Sequence, residues 1–538
     1  MASQSAPSPA SKGNLVCVVG TTGVGKSQLA IDLALAIKSG EIINSDSMQV
    51  YNGLDIITNK ATKEEMKGVP HHLMGFLEPG QEYKVGDFQR DALEKISELH
   101  GKYTLPIVVG GTTYYVQHLI FPNQLVSDAT AEPLRPTTPD TSPPPSSLSF
   151  LSPKSASAIS HFPPSLLSRI TTLPPELLSL FFLHPNLPST SSPSSFPPSF
   201  PSQLLPPSLQ KPEAFAAGLY NTLLHVDPFS ASRWHWRDIR KVRRALDITW
   251  EGRLWQDVLD AQMVRKDEGA RFRTLVFWLY AEPEVLNERL DKRVDKMLEL
   301  GLLEEIEGLW SSAAAENSET SLDYSRGVYQ AIGFKEFEPF LSARTQRQAP
   351  PPPSSSSATS DAKSAPASDP FFKDGLERMK VSTRQYAKKQ IKWVKQNLIP
   401  AARASADEDV FVYLLDATNL VTWDENVRAP ALRILASFLA NEPLQDPLSL
   451  SNLAAHHLAP PSAKGPRVGE TFDFEGSFGE EEEGSETSGG DSVWEAEDEE
   501  AGCSLRKVEC SSTGYLDALQ FLSTQNFAFI FRRHVNLT

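Results

Sequence analysis

Short runs of apolar residues that break off into small or hydroxylated ones set the pattern of this chain. Leu15–Val19 ends in GTTGVGKS, Glu41–Asn44 in Ser45-Asp46-Ser47, and Leu105–Val109 in Gly110-Gly111-Thr112-Thr113. Two later runs, Thr274–Ala281 (TLVFWLYA) and Val410–Leu415, are of the same kind. Runs that are apolar at every position are what strands of a parallel sheet, covered on both faces, require. Between them the period changes: Leu29, Ile31, Leu33, Ala34 and Ile37 recur at helical intervals, placing Gly20–Ser27 at a strand-to-helix turn. Further helices are expected over Phe215–Leu224, Ser232–Trp250, Pro283–Glu307 with a break at Gly301, Thr383–Trp393, and from the last strand through Leu439. The fold class is α/β with a parallel sheet and an inserted helical domain.

The pattern fails in two internal stretches and at the end. Leu125–Pro212 and Ala349–Pro370 are dominated by Pro and Ser; such composition buries too little to offset its ordering entropy, so both are expected to be disordered, with apolar pieces such as Leu177–Leu183 touching the body. Disorder is also expected from about Pro447 onward. The resulting organisation is a disordered 1–13, a core over 14–124, a Pro/Ser-rich insertion over 125–212, a helical insertion over 213–273, a return to the core over 274–343, a linker over 344–370, a basic helix with the final core strand and helix over 371–440, and a tail over 441–538.

Charge changes the picture once it is located. Residues 470–500 hold fourteen Asp or Glu and no Lys or Arg, so the formal −16 of the chain less those fourteen leaves −2 for the rest. The acidity belongs to the tail and does not exclude a polyanionic partner. Cys17, Cys503 and Cys510 cannot make a disulfide framework, which suits a reducing compartment. No run approaches the roughly 18 apolar residues of a membrane helix, and MASQSAPSPASKG has neither signal nor transit character. A cytoplasmic protein without membrane contact is expected, with a mitochondrial or nuclear pool left open.

The turns after the strands carry the candidate chemistry. Gly20, Thr21, Thr22, Gly23, Val24, Gly25, Lys26 and Ser27 form a phosphate-binding loop, in which backbone N–H groups, Lys26 and the following helix dipole attract a diphosphate or triphosphate and Ser27 is placed to hold Mg²⁺. Ligands of such sheets meet the carboxyl ends of the strands. Asp46 and Ser47 should therefore emerge beside that loop, Asp46 serving either as a general base or as a partner of the groups around Mg²⁺. Gly110-Gly111 bring backbone close to a ligand, and Thr112 offers a hydroxyl. His71-His72 is a weak metal pair, better explained by packing and hydrogen bonding.

Two helices are basic. One carries Arg233, Arg237, Arg240, Lys241, Arg243 and Arg244 near Trp234, His235 and Trp236; the other carries Arg384, Lys388, Lys389 and Lys392 with Tyr386 and Trp393. Cations interleaved with aromatics suit an RNA surface better than a core, while a solvated charged face is the plain alternative for the first.

Taken together, GTTGVGKS, INSDSMQVY (Ile43–Tyr51), ITNK (Ile57–Lys60), His71-His72, VVGGTTYY (Val108–Tyr115), DIRKVRRALDI (Asp238–Ile248), QAIGFKEF (Gln330–Phe337) and TRQYAKKQIKWV (Thr383–Val394) resemble, in order, the tRNA dimethylallyltransferase family in its eukaryotic branch. The resemblance implies transfer of the dimethylallyl group of dimethylallyl diphosphate to N6 of the adenosine at position 37 of tRNA, with Mg²⁺, by a monomer. It implies diphosphate on Gly20–Ser27, Asp46 as base, and Thr112 and Lys26 beside it. It places tRNA contacts on Asp46, Ser47, Met48 and Gln49 and on Arg240, Lys241, Val242, Arg243 and Arg244, to which the basic residues Arg384 and Lys388 are added. An adenylate-prenylating relative and a P-loop small-molecule kinase are the competing readings. Eukaryotic members often end in a zinc finger; the spacing of Cys503 and Cys510 predicts none here.

Overall fold

The computed structural model describes residues 12–122, 159, 162–187, 201–264, 269–316, 324, 327–348, 369–405 and 409–460. Six strands form one parallel sheet: β1 (Asn14–Gly20), β2 (Gly40–Asn44), β3 (His71–His72), β4 (Leu105–Val109), β5 (Arg273–Tyr280) and β6 (Val410–Asp416), in the order β3-β2-β4-β1-β5-β6. Val16 of β1 faces Ile107 of β4 on one side and Leu275 of β5 on the other. Alternate residues of each strand serve opposite cores. Val16 and Val18 pack with Leu29 and Leu33 of helix α1 (Lys26–Ile37), and Leu15, Cys17 and Val19 pack with Phe88 and Ile96 of α2 (Val85–Gly101) and Val116 of α3 (Thr113–Ile120).

A separate core holds the inserted helices, α4 (Pro164–Thr171), α5 (Pro175–Leu183), α6 (Pro212–Val226), α7 (Ile239–Trp250) and α8 (Trp255–Val264). The Pro/Ser-rich stretch expected to be disordered thus contributes two helices. Leu166, Ile170, Leu180 and Phe181 are buried in that core with Phe215 and Leu219 of α6. Composition misled because the prolines stand at helix starts, Pro164, Pro175 and Pro212 each in the first turn, where a missing N–H costs nothing. The remainder of 125–212 lies largely outside the described residues.

The basic helix is shorter than expected. Asp227 accepts from the Ser230 amide and caps a turn at Pro228–Ala231, and Asp238 accepts from the Lys241 amide at 3.2 Å, so α7 starts at Ile239. The 283–307 pattern divides at Gly301 into α9 (Pro283–Glu299) and α10 (Leu302–Glu316), and α11 (Glu338–Gln348) extends into what was expected as linker. Helix α12 (Pro370–Trp393) is longer than its motif. After β6 come α13 (Ala429–Leu439) and, within the expected tail, α14 (Asn452–Leu458), capped by Ser451 with Ala454 and Leu458 buried on the sheet. His71 and His72 form the edge strand rather than a loop, with His72 Nε2 2.6 Å from Glu41 Oε2. The terminal Cys503 and Cys510, the acidic run and most of the 344–370 linker lie outside the described residues.

Phe181 is fully buried, its ring 5.3 Å from that of Trp250 between centroids. Phe181→Ala should cost about 3–5 kcal/mol, read as a lowered unfolding midpoint; an unchanged midpoint would mean that α5 is not part of this core.

Candidate active site

Three turns meet at the carboxyl edge of the sheet because β2, β4 and β1 are neighbours. The phosphate loop leaves β1 and enters α1 through Gly25, whose left-handed φ of 95° and closeness to Trp423 exclude a side chain: a Cβ would lie 2.6 Å from the indole. Lys26 is half-buried and its Nζ donates to the Thr21 carbonyl at 2.6 Å. Burial pushes its pKa down to about 8, partly offset by Asp46 and reinforced by Arg293. Ser27 is exposed at the first turn of α1.

The turn after β2 is held by buried Asn44, whose Nδ2 donates to the carbonyls of Asp46 (3.0 Å) and Leu73 (2.9 Å) and whose Oδ1 accepts from the Asp46 amide at 3.0 Å. Asp46 Oδ1 accepts from the Met48 amide at 3.0 Å, while Oδ2 faces Gly111, where a Cβ would come within 3.2 Å. Thr112 is buried; its Oγ1 accepts from the Ser47 amide at 3.1 Å and donates to Ser47 Oγ at 3.3 Å. Thr112 therefore fixes the Asp46 turn through Ser47. Gln49 donates to the carbonyls of Thr58 and Asn59, tying in the ITNK turn, and Met48 is half-buried against the α9–α12 core.

Residues from far along the chain close the site. Arg293 of α9 is half-buried, donates to Thr22 Oγ1, and interacts electrostatically with Asp46. Gln390 of α12 accepts from the Thr22 amide at 2.8 Å and donates to the Gly111 carbonyl at 2.9 Å. Tyr386, one turn earlier, is hydrogen-bonded to Thr112 and Gln390; burial and Asp46 push its phenol pKa up. Arg293 and Gln390 were not recognised as site residues from sequence: both stood inside noted helices, but charge and periodicity do not say which face meets the sheet edge.

The proposed RNA contacts divide. On α7, Arg240 is exposed, Arg244 half-buried, and Lys241 paired with Asp238 at 3.1 Å over the Trp234 ring. Val242 is buried in the insertion core, and Arg243 donates to the carbonyls of His184 and Leu187, bracing the chain after α5. On α12, Lys388 is exposed but Arg384 is paired with Asp291 of α9. Tyr386 and Trp393, read as groove aromatics, point into the body: Trp393 Nε1 donates to Gln117 Oε1 at 3.1 Å and its ring stands edge-on to Tyr114.

Among the described residues no cluster of three His, Cys, Asp or Glu could hold a metal by itself. The Ser27 hydroxyl fits a cation that keeps most of its ligands from water and phosphate.

Fold and site define an α/β phosphate-loop enzyme that sets a carboxylate beside an anion cradle. The model of the IPP transferase family matches residues 49–157 and 190–397, and the chain belongs to that family. It is 37% identical over 432 residues to the tRNA dimethylallyltransferase of Schizosaccharomyces pombe (79% of each chain) and 33% identical to that of Saccharomyces cerevisiae (80% of this chain, 77% of the other). The solved structure of a eukaryotic dimethylallyltransferase acting on tRNA aligns with a TM-score of 0.55 at 32% identity, covering 83% of this chain and 85% of that one.

A Cβ on Gly110 would lie 2.4 Å from the Ser45 carbonyl carbon and 2.6 Å from the Asp46 amide. Gly110→Ala must therefore move the Asp46 backbone, and turnover should fall by roughly 10². Gly86→Ala on α2 meets nothing within 4 Å and should keep full turnover, so equal rates for the two variants would show that the crossing does not set the site.

Proposed function

We propose that this enzyme transfers the dimethylallyl group of dimethylallyl diphosphate to N6 of the adenosine at position 37 of tRNA. The observation that carries this reading is the placement of Asp46 Oδ2 over Gly111, beside a phosphate loop flanked by Lys26 and Arg293. The relatives' names give tRNA and the dimethylallyl group; the diphosphate donor and the N6 of the adenosine at position 37 belong to the proposal. In the transfer, a bond forms between N6 and the primary carbon of the dimethylallyl group as the C–O bond to diphosphate breaks. Asp46 takes the N6 proton, and the leaving diphosphate departs with the bonding pair.

Each residue has a task in that step. The amides of Gly23–Ser27, with Lys26 and Arg293, meet the charge that grows on the leaving group. Mg²⁺, held by Ser27 and the diphosphate, would neutralise part of that charge. Thr112 and Asn44 keep the Asp46 turn in place. An adenine stacked in an anticodon loop is out of reach of a half-buried carboxylate at the sheet edge, so the base must be flipped out, and the surface of Arg240, Lys241 and Arg244 would hold the loop from which it leaves. An adenylate-prenylating enzyme or a small-molecule kinase would use the same loop and Asp46 but has no need of that surface. No helix among the described residues is long and apolar enough to cross a membrane.

The deciding experiment offers the purified enzyme Mg²⁺ and labelled dimethylallyl diphosphate with unmodified tRNA or with AMP. Label on tRNA alone is expected; label on AMP would move the enzyme to the adenylate-prenylating class, and label on neither would reopen the kinase reading. Asp46→Ala should lower turnover by roughly 10² or more with tRNA binding nearly intact, and a variant that turns over normally would remove Asp46 as the base. Replacing Arg240, Lys241 and Arg244 together with alanine should weaken tRNA binding and flatten its salt dependence. An unchanged slope would make this side of α7 a solvated face.

A further inference from the structure

Gln390 reaches two turns that belong to different strands and different tasks. Its Oε1 accepts from the Thr22 amide in the phosphate loop at 2.8 Å, and its Nε2 donates to the carbonyl of Gly111, opposite Asp46, at 2.9 Å. The side chain is buried, and Nε2 lies 2.6 Å from where a Cβ on Gly111 would be. A carboxamide is planar and offers one acceptor and one donor group at a fixed separation, so a shift of either turn is passed to the other. No apolar side chain, and no ionised carboxylate, can satisfy an amide and a carbonyl at once.

We infer that Gln390 is a positioning residue that couples the phosphate loop to the Gly111–Asp46 turn, holding the leaving-group cradle and the base in register. This rests on the proposed transfer reaction. It also accounts for a helix 368 residues away in sequence fixing a loop that could close on its own backbone. Tyr386 of α12 itself is hydrogen-bonded to the carboxamide, Asp46 from the β2 turn and Tyr115 of α3 act on Tyr386, and Lys26 of α1 and Arg293 of α9 interact with Asp46.

Gln390→Glu separates coupling from simple bulk. Ionised, the introduced carboxylate still accepts from the Thr22 amide but offers the Gly111 carbonyl no proton and sets a second negative charge near Asp46. Protonated, it restores both bonds, and burial and the neighbouring carboxylate raise its pKa. Single-turnover transfer to tRNA is measured for wild type, Gln390→Glu and Gln390→Met between pH 6 and 8, with unfolding midpoints at each pH and calorimetric titration of inorganic diphosphate with Mg²⁺. The Glu variant's rate relative to wild type should rise by roughly tenfold from pH 8 to pH 6. The Met variant should stay about 10²-fold down throughout and bind diphosphate more weakly. A Glu-to-wild-type ratio flat with pH in a folded protein, or a Met variant with wild-type rate, would overturn the coupling. A wild type that binds diphosphate but transfers nothing to tRNA would overturn the proposed reaction instead. The diphosphate titration would then still judge the loop half of the tie, since equal affinity in wild type and the Met variant would refute it.

Discussion

Everything at this site depends on how closely two backbones cross. Strands β2 and β4 are paired in register at Asn44 and Val109, so their exits leave the sheet side by side, and the Ser45 amide is still bonded to the Val109 carbonyl at 2.8 Å. The next residues must pass within the space of one methyl group, which Gly110 leaves open. Because they pass that closely, Asp46 lies over Gly111 and Thr112 reaches Ser47. Because β1 is the other neighbour of β4, the phosphate loop stands beside the crossing.

The sheet edge is then roofed by helices that carry most of the charge. Lys26 and Arg293 are both half-buried, and burial disfavours the charged form of each, with Asp46 the carboxylate that opposes it. Two half-buried cations against one carboxylate leave an excess of positive potential, which an anion is suited to meet. An arriving diphosphate favours the protonated Lys26 and so returns part of the desolvation cost as binding free energy. Outside the cradle, Lys380 and Arg384 of α12 are answered by Asp295 and Asp291 of α9, so that interface is held by neutral pairs.

Much of this was legible in the sequence, for a physical reason. Strands buried on both faces announce themselves as apolar runs, and the glycines, hydroxyls and Asp46 that end them mark one edge of the sheet. What stayed hidden depends on direction. Periodicity shows that α9 and α12 are helices but not that Arg293 and Gln390 turn toward the loop while Arg384 turns toward Asp291. On α7 the basic run looks uniform, yet burial of Val242 sends Arg243 to the carbonyls of His184 and Leu187. The Pro/Ser-rich composition of 162–187 reads as disorder although its prolines open helices, and the short apolar spacing of α14 was lost beside an acidic tail.

The two cores bear on what kind of substrate the enzyme takes. The insertion packs around Leu180, Phe181, Phe215 and Leu246, none of which belongs to the sheet's own clusters. A helical body with an independent core is not needed to shape the anion cradle, which the sheet edge, α9 and α12 complete by themselves. For an enzyme acting on a free nucleotide such a body would have no task. A substrate that is itself a folded polyanion would give both parts one: in the proposed reaction the insertion would hold the loop by its phosphates, a sequence-independent attraction, and the cradle would select the one base that can be turned out to meet Asp46. Affinity and chemistry would then reside in separately packed parts of the chain, and the α12 tie from Gln390 would belong to the chemical part.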